Sequence, residues 1–485
     1  MPSSMLPRKK TKIICTIGPA SREQDTLEEM MAAGMNIARI NFAHGDLASH
    51  RQTIANVRAA AAAQDKRVAI MGDLPGPKMR IGALADEPIE LVRGDNFDLC
   101  VDEVQGSRER AHINFKRLPQ VVKPGDRIFI NDGMVQVTVR DIDGGCVHTE
   151  VRAGGELRSH KGVNFPGIEL GISAFTDRDK KFLEFAAEQE LDAVSQSFVQ
   201  DKKDIVAVRN AAHALGYHPA IIAKMERASA VKNLDSILQA ADGIMVARGD
   251  LGVEVPIEEM AIIQKTMIFQ ANLMGKPVIT ATHMMESMTV HRRPTRAEAT
   301  DVANAILDGT DCVMLSGETA VGKHPIDVVR IMADIAQYTE ENRPSNHVAD
   351  MLSERMSGAD IDQADLIALS TYLTAEKLEP CIVFTPTVSG ETAQRVARFR
   401  LPAWIVATTP REEVAQRLQF TYGVHPEHLR ARPDSWQAYA RDWVKRYGVE
   451  GDLALLTRGT SAHHRLGANL LEIIDLSTPD VTPLW

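Results

Sequence analysis

The sequence lacks the features that identify secreted, membrane-spanning and nucleic-acid-binding proteins. Its five cysteines are scattered without a Cys-x-x-Cys pair, so we expect reduced thiols and no sulfur-ligated metal. No apolar run is long enough to span a bilayer, and the N-terminal MPSSMLPRKKTK has no apolar signal region. The net charge of -10 argues against a broad basic surface for nucleic acid. These absences favour a cytoplasmic protein with no membrane or nucleic-acid partner.

Eight short apolar runs recur along the chain, and helix-like segments follow most of them. The runs are KIICTIG, NIARIN, RVAIMGD, DAVSQSFV, AIIAKME, GIMVARGD, PVITATH and CVMLSGE. Each is followed or ended by a polar residue, and these residues are spaced as single βα units except across one long gap. Eight such units predict a (β/α)8 TIM barrel, whose active site lies at the C-terminal ends of the strands. A doubly wound sheet is the alternative, but it does not need eight consecutive units.

The long gap between Asp73 and Ser197 predicts an inserted domain. Residues 74–162 contain short alternating runs bounded by Gly, Asp and Asn, which are typical of a small β-barrel or β domain. We therefore expect an N-terminal arm (1–10), a discontinuous catalytic barrel (11–73 and 163–345), an inserted β lid (74–162) and a C-terminal α/β domain (346–485). An inserted domain at the active end of a barrel is well placed to close over a substrate.

The stretch IIAKME places two charged residues in an otherwise apolar strand. Lys224 and Glu226 are two residues apart, so they point to the same side of the strand and into the barrel. Asp250 follows the next strand, and we expect it to end that strand. Two carboxylates on neighbouring strands suit Mg²⁺, which takes one or two carboxylates and leaves other positions for substrate. The alternative is that Lys224 and Glu226 only form a structural ion pair.

Other strand ends carry groups suited to an anionic substrate. Arg39 could clamp a phosphate or carboxylate through its forked guanidinium, although a salt bridge at the barrel rim is the alternative. Thr282 ends the seventh run, where a threonine is often only a β-branched strand residue. Together with Lys224 and the carboxylates, these groups suit stabilisation of a phosphoryl group and a developing enolate.

These same stretches closely resemble the pyruvate kinase family over essentially the whole chain. The matching stretches include NIARINFAHG, KGVNFPG, IIAKMERASAVKNLD, GIMVARGDLGVEVP and PTRAEATDVANAILDGTDCVMLSGETA. The resemblance implies transfer of a phosphoryl group from phosphoenolpyruvate to ADP, giving pyruvate and ATP in the last step of glycolysis. It also implies a homotetramer with a C-terminal regulatory domain.

The resemblance further implies roles for individual residues. Glu226 and Asp250 would ligate Mg²⁺ or Mn²⁺, and Lys224 would neutralise the moving phosphoryl group. Arg39 would hold the substrate phosphate, the backbone of Gly249 would contact the substrate, and Thr282 would lie where the enolate is protonated. Nucleotide-contacting positions match Asn41, His44, Arg80 and Lys161.

Departures from the family pattern concern a monovalent cation. Many relatives bind K⁺, but here Ala43 and Leu74 stand where Ser and Thr are usual, so two oxygen ligands are lost. Lys78 replaces a Glu of K⁺-dependent relatives, a local charge change of +2. We therefore expect a K⁺-independent enzyme in which Lys78 substitutes for the cation, the alternative being that Lys78 is a solvated loop lysine. His283 stands where Gln is usual.

The C-terminal domain resembles the regulatory domain of the family. TPTVSGETA, residues 385–393, resembles a loop that binds the phosphate of an effector, although plain capping of the following helix is the alternative. The later stretch LTRGTSAHHRLGANLLEII departs from the usual glycine-rich ending.

Two other functions would use the same chain differently. An aldolase or lyase on a related barrel would use the metal to stabilise an enolate without a nucleotide. A catalytically inactive sensor would keep only the C-terminal domain for binding, but Lys224, Glu226 and Asp250 are all present.

Overall fold

This computed structural model describes residues 6–343, 347–357, 363–458 and 469–477. Numbered along the chain, the strands are β1 (Lys12–Thr16), β2 (Ile37–Asn41), β3 (Ala69–Leu74), β4 (Ile89–Leu91), β5 (Asn96–Cys100), β6 (Arg110–His112), β7 (Arg127–Ile130), β8 (Val135–Asp143), β9 (Cys146–Ala153), β10 (Gly155–Leu157), β11 (Val163–Asn164), β12 (Ala193–Gln196), β13 (Ala220–Met225), β14 (Gly243–Ala247), β15 (Val278–Ala281), β16 (Cys312–Leu315), β17 (Ile382–Phe384), β18 (Trp404–Thr409), β19 (Val424–His428), β20 (Leu453–Arg458) and β21 (Leu470–Asp475).

The helices are α1 (Gln24–Ala33), α2 (Leu47–Ala63), α3 (Leu118–Val121), α4 (Asp177–Glu188), α5 (Lys202–Ala214), α6 (Ala228–Lys232), α7 (Leu234–Ala240), α8 (Arg248–Glu254), α9 (Met260–Leu273), α10 (Arg296–Leu307), α11 (Gly317–Ala320), α12 (Pro325–Glu341), α13 (His347–Ser357), α14 (Gln363–Leu378), α15 (Glu391–Ala397), α16 (Glu412–Arg417) and α17 (Trp436–Tyr447). Three short 3₁₀ turns lie at Ile257–Glu259, Glu286–Thr289 and Leu418–Phe420.

Eight parallel strands form a closed barrel in the order β1-β16-β15-β14-β13-β12-β3-β2. Each corresponds to one of the eight apolar runs, so the predicted (β/α)8 barrel is confirmed. Successive residues of each barrel strand face opposite sides. Ala220 and Ile222 of β13 face the barrel interior, whereas Ile221 and Ala223 pack outward among the helices. Lys224 is two residues after Ile222, so its side chain also faces the barrel interior. It lies at the end of the barrel that the C-terminal ends of the strands form, here called the barrel mouth.

The inserted segment between β3 and β12 forms a separate β domain. A six-stranded sheet, in the order β11-β7-β8-β9-β5-β6, and a two-stranded ribbon of β10 and β4 enclose their own apolar core. The alternating residues of β8 produce this core, since Val135, Val137 and Val139 are buried while the residues between them are less so.

The expectation that all five cysteines are reduced is wrong for one pair. Cys100 of β5 and Cys146 of β9 are joined by a disulfide. They are direct partners across the antiparallel pair, with Cα atoms 4.1 Å apart, and only this register brings them together. Their separation of 46 residues gave no sign of it. Cys15 and Cys312 are free and buried, and Cys381 is free.

A thiol titration tests this pairing. Protein denatured without a reductant should react with a thiol reagent at three cysteines, and at five after reduction, because five minus the bonded pair leaves three. A count of five before reduction would show that the disulfide is not formed in solution. The Cys146→Ser variant should give four thiols in both conditions, since Cys100 then has no partner.

The C-terminal domain is a five-stranded sheet flanked by helices. Its order is β19-β18-β17-β20-β21, with β21 antiparallel to β20 and the other pairs parallel. The apolar stretches PCIVFT, AWIVATT, LALLTRG and LLEIIDL each predict a strand, and all four strands are present. β19 was not predicted, because Pro426 within it argues against a strand. β19 lies at the sheet edge, where a missing N–H is tolerated.

The C-terminal domain packs against the N-terminal end of the barrel. Phe420 packs with the inward-facing side chains of the barrel strands, so a residue of the C-terminal domain closes the barrel floor. Arg400 donates from Nη1 to Oδ1 of Asp311 at 2.8 Å and from Nη2 to Oδ1 of Asn272 at 2.6 Å. Both members of the Arg400–Asp311 pair are almost fully buried.

Replacing Arg400 by methionine should lower the free energy of unfolding by about 3–5 kcal/mol, because the buried Asp311 carboxylate loses its counter-charge. The first transition in urea denaturation measures this. Arg411→Gln is the matched control, since Arg411 pairs with Glu413 on the exposed surface and should change stability by less than about 1 kcal/mol. Equal effects of the two variants would contradict the anchoring role of Arg400.

None of the helices in the described ranges has the length and apolar character required to cross a bilayer. The domain boundaries at 73/74, 162/163 and 345/346 stay predictions. The departure noted in the stretch after β20 falls largely on residues 459–468, outside the described part of the chain.

Candidate active site

Lys224 lies at the centre of a buried charged cluster in the barrel mouth. Its Nζ is 2.7 Å from Oε1 of Glu226 and 3.6 Å from Oδ1 of Asp73, and it donates to Oγ of Ser197 at 2.7 Å. Glu226 follows the last residue of β13, and its Oε2 accepts the N–H of Phe198 at 2.7 Å. The predicted convergence of Lys224 and Glu226 is therefore present, and the two groups form an ion pair.

The ionisation of this cluster follows from burial and mutual attraction. Burial favours neutral Lys224, but Asp73 and Glu226 outweigh it and raise the pKa of the ammonium. Burial raises the pKa of Glu226, and the charge of Asp250 adds to this effect while Lys224 opposes it. Glu226 is thus a carboxylate that would gain from a second cation beside it.

Arg39 and Asp73 form a second buried pair beside Lys224. Arg39 bonds to Oδ2 of Asp73 and donates from Nη1 to Oγ1 of Thr16 at 2.8 Å. Oδ1 of Asp73 accepts from Oγ of Ser195 at 2.6 Å. Burial works against ionisation of Asp73, but Lys224 and Arg39 lower its pKa to about 2. Arg39 is therefore a fixed cation inside the mouth. Because the Arg39–Asp73 pair is buried, it is not a salt bridge on the exposed rim.

The expectation that Asp250 ends the sixth barrel strand is wrong. β14 ends at Ala247, and Asp250 lies in the first turn of α8, where the helix dipole favours a carboxylate. It still reaches the cluster, because its charge acts on both Lys224 and Glu226. The chain has to turn outward after β14, and α8 begins in that turn.

Glu226 and Asp250 suit a hard divalent cation. Oε1 of Glu226 is buried and faces Lys224 with no hydrogen-bond partner of good geometry in the described ranges, and Asp250 is only partly exposed. Within those ranges no three His, Cys, Asp or Glu side chains group as a complete metal site. Two carboxylates with open positions fit Mg²⁺, which keeps water or substrate oxygens as its other ligands.

Thr282 lies just beyond β15 in a strained turn. Its φ is +66°, in the left-handed region that a β-branched residue rarely adopts, and His283 follows at +53°. Oγ1 of Thr282 accepts the N–H of Gly249 at 2.7 Å, which ties this turn to the start of α8. The hydroxyl also donates to the carbonyl of Ala281 at 2.7 Å, so its orientation is fixed, which an ordinary strand threonine would not require.

Arg248 holds this turn in place and was missed in the sequence. It donates from Nη2 to the carbonyl of Thr282 at 2.8 Å and pairs with Asp301 at 2.6 Å. Its position two residues before Asp250 was the available signal, but a single arginine after a strand has many structural uses.

The four residues matched to nucleotide contacts divide between the barrel and the inserted domain. Asn41 ends β2, and its Oδ1 accepts the N–H of Ala43 at 3.0 Å. Burial first, and then the charges of Arg80, Lys78, Arg39 and Arg178, lower the pKa of His44. Arg80 bridges to Gly162, next to Lys161. This cationic surrounding suits the phosphates of a nucleotide, and Arg178 is a member that the sequence did not indicate.

Lys78 extends toward Asp250, one of the two carboxylates suited to a metal. Its Nζ lies 3.8 Å from Oδ1 of Asp250, and its side chain is 37% exposed. Leu74 is fully buried, and the carboxylate of Asp73 is occupied by Arg39 and Ser195. Lys78 thus places an ammonium near Asp250. Leu74 and the already bonded Asp73 leave few side-chain oxygen atoms there for a monovalent cation.

Side chains within the loop 385–393 form hydrogen bonds to the backbone of the same loop. Oγ1 of Thr387 accepts the N–H of Gly390 at 2.9 Å, and Gly390 has a φ of +90° before α15. Oγ1 of Thr385 is buried without a hydrogen-bond partner in the described ranges. Glu391 places a carboxylate in the first turn of the short α15 and pairs with Arg395.

Comparisons with known proteins agree with this architecture. Residues 8–329 match the family model "Pyruvate kinase, barrel domain", and residues 365–474 match "Pyruvate kinase, alpha/beta domain". The pyruvate kinase of Thermococcus litoralis is 43% identical over 476 residues, which cover 97% of this chain and 99% of that protein. The pyruvate kinase of Geobacillus stearothermophilus is 42% identical over 474 residues, which cover 96% of this chain and 80% of that protein.

A third relative, the pyruvate kinase of Clostridium acetobutylicum, is 43% identical over 420 residues, covering 86% of this chain and 88% of that protein. The similarity therefore extends across the barrel, the insertion and the C-terminal domain. The chain belongs to the pyruvate kinase family and is accordingly an enzyme of the phosphotransferase class.

Proposed function

We propose that this enzyme transfers the phosphoryl group of phosphoenolpyruvate to ADP, giving pyruvate and ATP in the last step of glycolysis. The observation that carries the proposal is the ammonium of Lys224, which is buried between Glu226 and Asp73 at the barrel mouth beside Arg39. A fixed cation there can neutralise a phosphoryl group as it moves, without reorganisation. Membership of the family supplies the reaction.

Each matched residue has a separate task in this proposal. Arg39 holds the substrate phosphate, and Lys224 bridges the transferred group. The backbone of Gly249 positions the substrate beside Asp250. Thr282 lies at the face where the enolate is protonated, through water. Its hydroxyl is already oriented by the Gly249 N–H at 2.7 Å, which supports this assignment.

Glu226 and Asp250 would be the protein ligands of Mg²⁺ or Mn²⁺. The bound cation would polarise the enol oxygen and neutralise developing negative charge. The burial of Glu226 close to the partly exposed Asp250 supports this proposal, since a cation beside them would favour the ionised form of both carboxylates.

The nucleotide would bind between the barrel and the inserted domain. Asn41, His44, Arg80 and Lys161 would contact ADP, and the inserted domain would close over it as a lid. Arg80 and Lys161 lie at the two crossings between these domains, so closure of the lid would move them together.

The enzyme would not require K⁺, because Lys78 supplies the positive charge. The position of its Nζ near Asp250 supports this role over that of a solvated loop lysine. The loss of two oxygen ligands at Ala43 and Leu74 supports it independently.

Three further properties are proposed from the resemblance: a cytoplasmic location, a homotetramer, and a phosphorylated effector at the loop 385–393. An apolar groove between α10 and α12, with Tyr338 exposed at its edge, supports subunit association. Light scattering should give about four times 53.3 kDa. Sugar phosphates or AMP should shift the affinity for phosphoenolpyruvate, and no shift would count against the effector site.

Pyruvate formation with one component omitted at a time tests the function. Activity should require phosphoenolpyruvate, ADP and Mg²⁺ together, and should stop when a chelator removes the metal. Retro-aldol activity without nucleotide would instead support a lyase. No reaction with Mg²⁺, Mn²⁺, K⁺ or candidate effectors would support a sensor that has lost catalysis.

A further inference from the structure

A cavity lies at the opposite end of the barrel from the candidate active site, between the barrel floor and the C-terminal domain. Its volume is about 180 Å³. The barrel side comprises the beginnings of β13, β14 and β15, including Ala220 and Lys276, and the C-terminal side comprises residues of α15 and α16 and the turn that follows. It lies on the barrel side of α15 and is separate from the cluster around Lys224.

The cavity wall carries more positive than negative side chains. The wall carries the three cations Lys276, Arg395 and Arg417 and the two carboxylates Asp242 and Glu391, a net charge of +1. Both carboxylates already have partners: Asp242 pairs with Arg209 at 2.9 Å, and Glu391 pairs with Arg395 at 2.6 Å. The two negative charges are therefore neutralised by arginines.

Two of the cations form no close ion pair within the part of the chain that the structure describes. Nζ of Lys276 donates to the carbonyl of Ala241 at 2.9 Å, but in the described ranges neither Lys276 nor Arg417 has a carboxylate within 4.0 Å. Burial lowers the pKa of Lys276, and the charges of Asp242 and Glu391 oppose this only in part. An anion placed directly beside this partly buried ammonium would favour its charged form.

Part of the cavity wall is apolar. Ile222, Leu418 and Phe420 line it, together with Ala220 and Pro277. A ligand would thus meet cations on one side and hydrocarbon on the other. The cavity is smaller than the roughly 300–1,000 Å³ of sites for drug-sized ligands, so its size suits an anion of a few carbon atoms.

We infer that this cavity binds a small organic anion, a carboxylate or a phosphate monoester, through Lys276 and Arg417. Ser389 and Gln394 supply further polar groups on the same wall. The site would join the two domains, because Lys276 belongs to the barrel and Arg417 to the C-terminal domain. Phe420 contributes to both the cavity and the barrel interior, so the ligand would rest on the side chain that closes the barrel floor.

Isothermal titration calorimetry of the full-length enzyme without divalent metal tests the inference. Succinate represents a small carboxylate, and glycerol 3-phosphate represents a phosphate monoester. At least one should bind, and Arg417→Gln and Lys276→Gln should each weaken that binding about tenfold or more, as expected for a charge-assisted hydrogen bond. The probe that binds identifies the anion class.

Arg411→Gln is the matched control, since Arg411 lies on the same short segment but outside the cavity and pairs with Glu413. It should leave binding unchanged. The inference is overturned if neither probe binds at millimolar concentration, or if binding survives both cavity substitutions. Thermal unfolding of each variant establishes that it is folded, and the two substitutions lie on different domains, so one folding defect cannot explain both losses.

Discussion

Replacing Lys224 by methionine should lower kcat by about 10²–10³-fold, the loss expected when one preorganised charge is removed from a transition state. Methionine retains much of the length of the side chain but removes the ammonium that lies 2.7 Å from Glu226 and 3.6 Å from Asp73. Binding of Mn²⁺, measured by electron paramagnetic resonance, should survive, because the proposed ligands Glu226 and Asp250 remain.

Ser197→Ala is the matched control for this variant. It removes the hydroxyl that accepts from Nζ of Lys224 at 2.7 Å but keeps the ammonium and both carboxylates. Its kcat should fall far less than that of Lys224→Met. Full activity of Lys224→Met would remove Lys224 from the chemistry, and loss of Mn²⁺ binding would reduce its role to shaping the metal site.

The second large effect is expected at Lys78. Lys78→Glu should lower activity in K⁺-free buffer at least about tenfold, since two charges separated by 3.8 Å near a protein surface interact by a few kcal/mol and the sign is reversed beside Asp250. Adding K⁺ should restore little activity, because Ala43 and Leu74 supply no side-chain oxygen.

The variant Ala43→Ser, Leu74→Thr, Lys78→Glu should regain activity with K⁺ but not without it, because the two missing oxygens are restored. Steady-state kinetics in K⁺-free and K⁺-containing buffer provide the comparison. If the wild-type enzyme itself requires K⁺, or if Lys78→Glu is as active as wild type in its absence, Lys78 is not the substitute cation.

The barrel could be predicted because its strands repeat one simple physical pattern. Each parallel strand is covered on both faces, so it appears as a continuous apolar run, and the loop that follows needs polar residues. IIAKME stood out because charged residues broke such a run at a spacing of two. The alternation of side chains along this one strand was therefore enough to predict that Lys224 and Glu226 lie close together.

Other features depended on contacts between distant segments, which the sequence does not display. Asp250 was expected at a strand end, but the chain leaves β14 three residues earlier and α8 carries the carboxylate instead. The pairing of Cys100 with Cys146 depends on the register of β5 against β9. The left-handed turn at Thr282 depends on Arg248 and Gly249, which come from the neighbouring strand end.

The most direct test of the central claim is ³¹P nuclear magnetic resonance of the enzyme with phosphoenolpyruvate, ADP and Mg²⁺ in K⁺-free buffer. Phosphoryl transfer at the barrel mouth predicts that the phosphoenolpyruvate resonance declines while the γ-phosphate of ATP grows by an equal amount. An unchanged spectrum that persists after K⁺ is added, or release of inorganic phosphate without ATP, would contradict it.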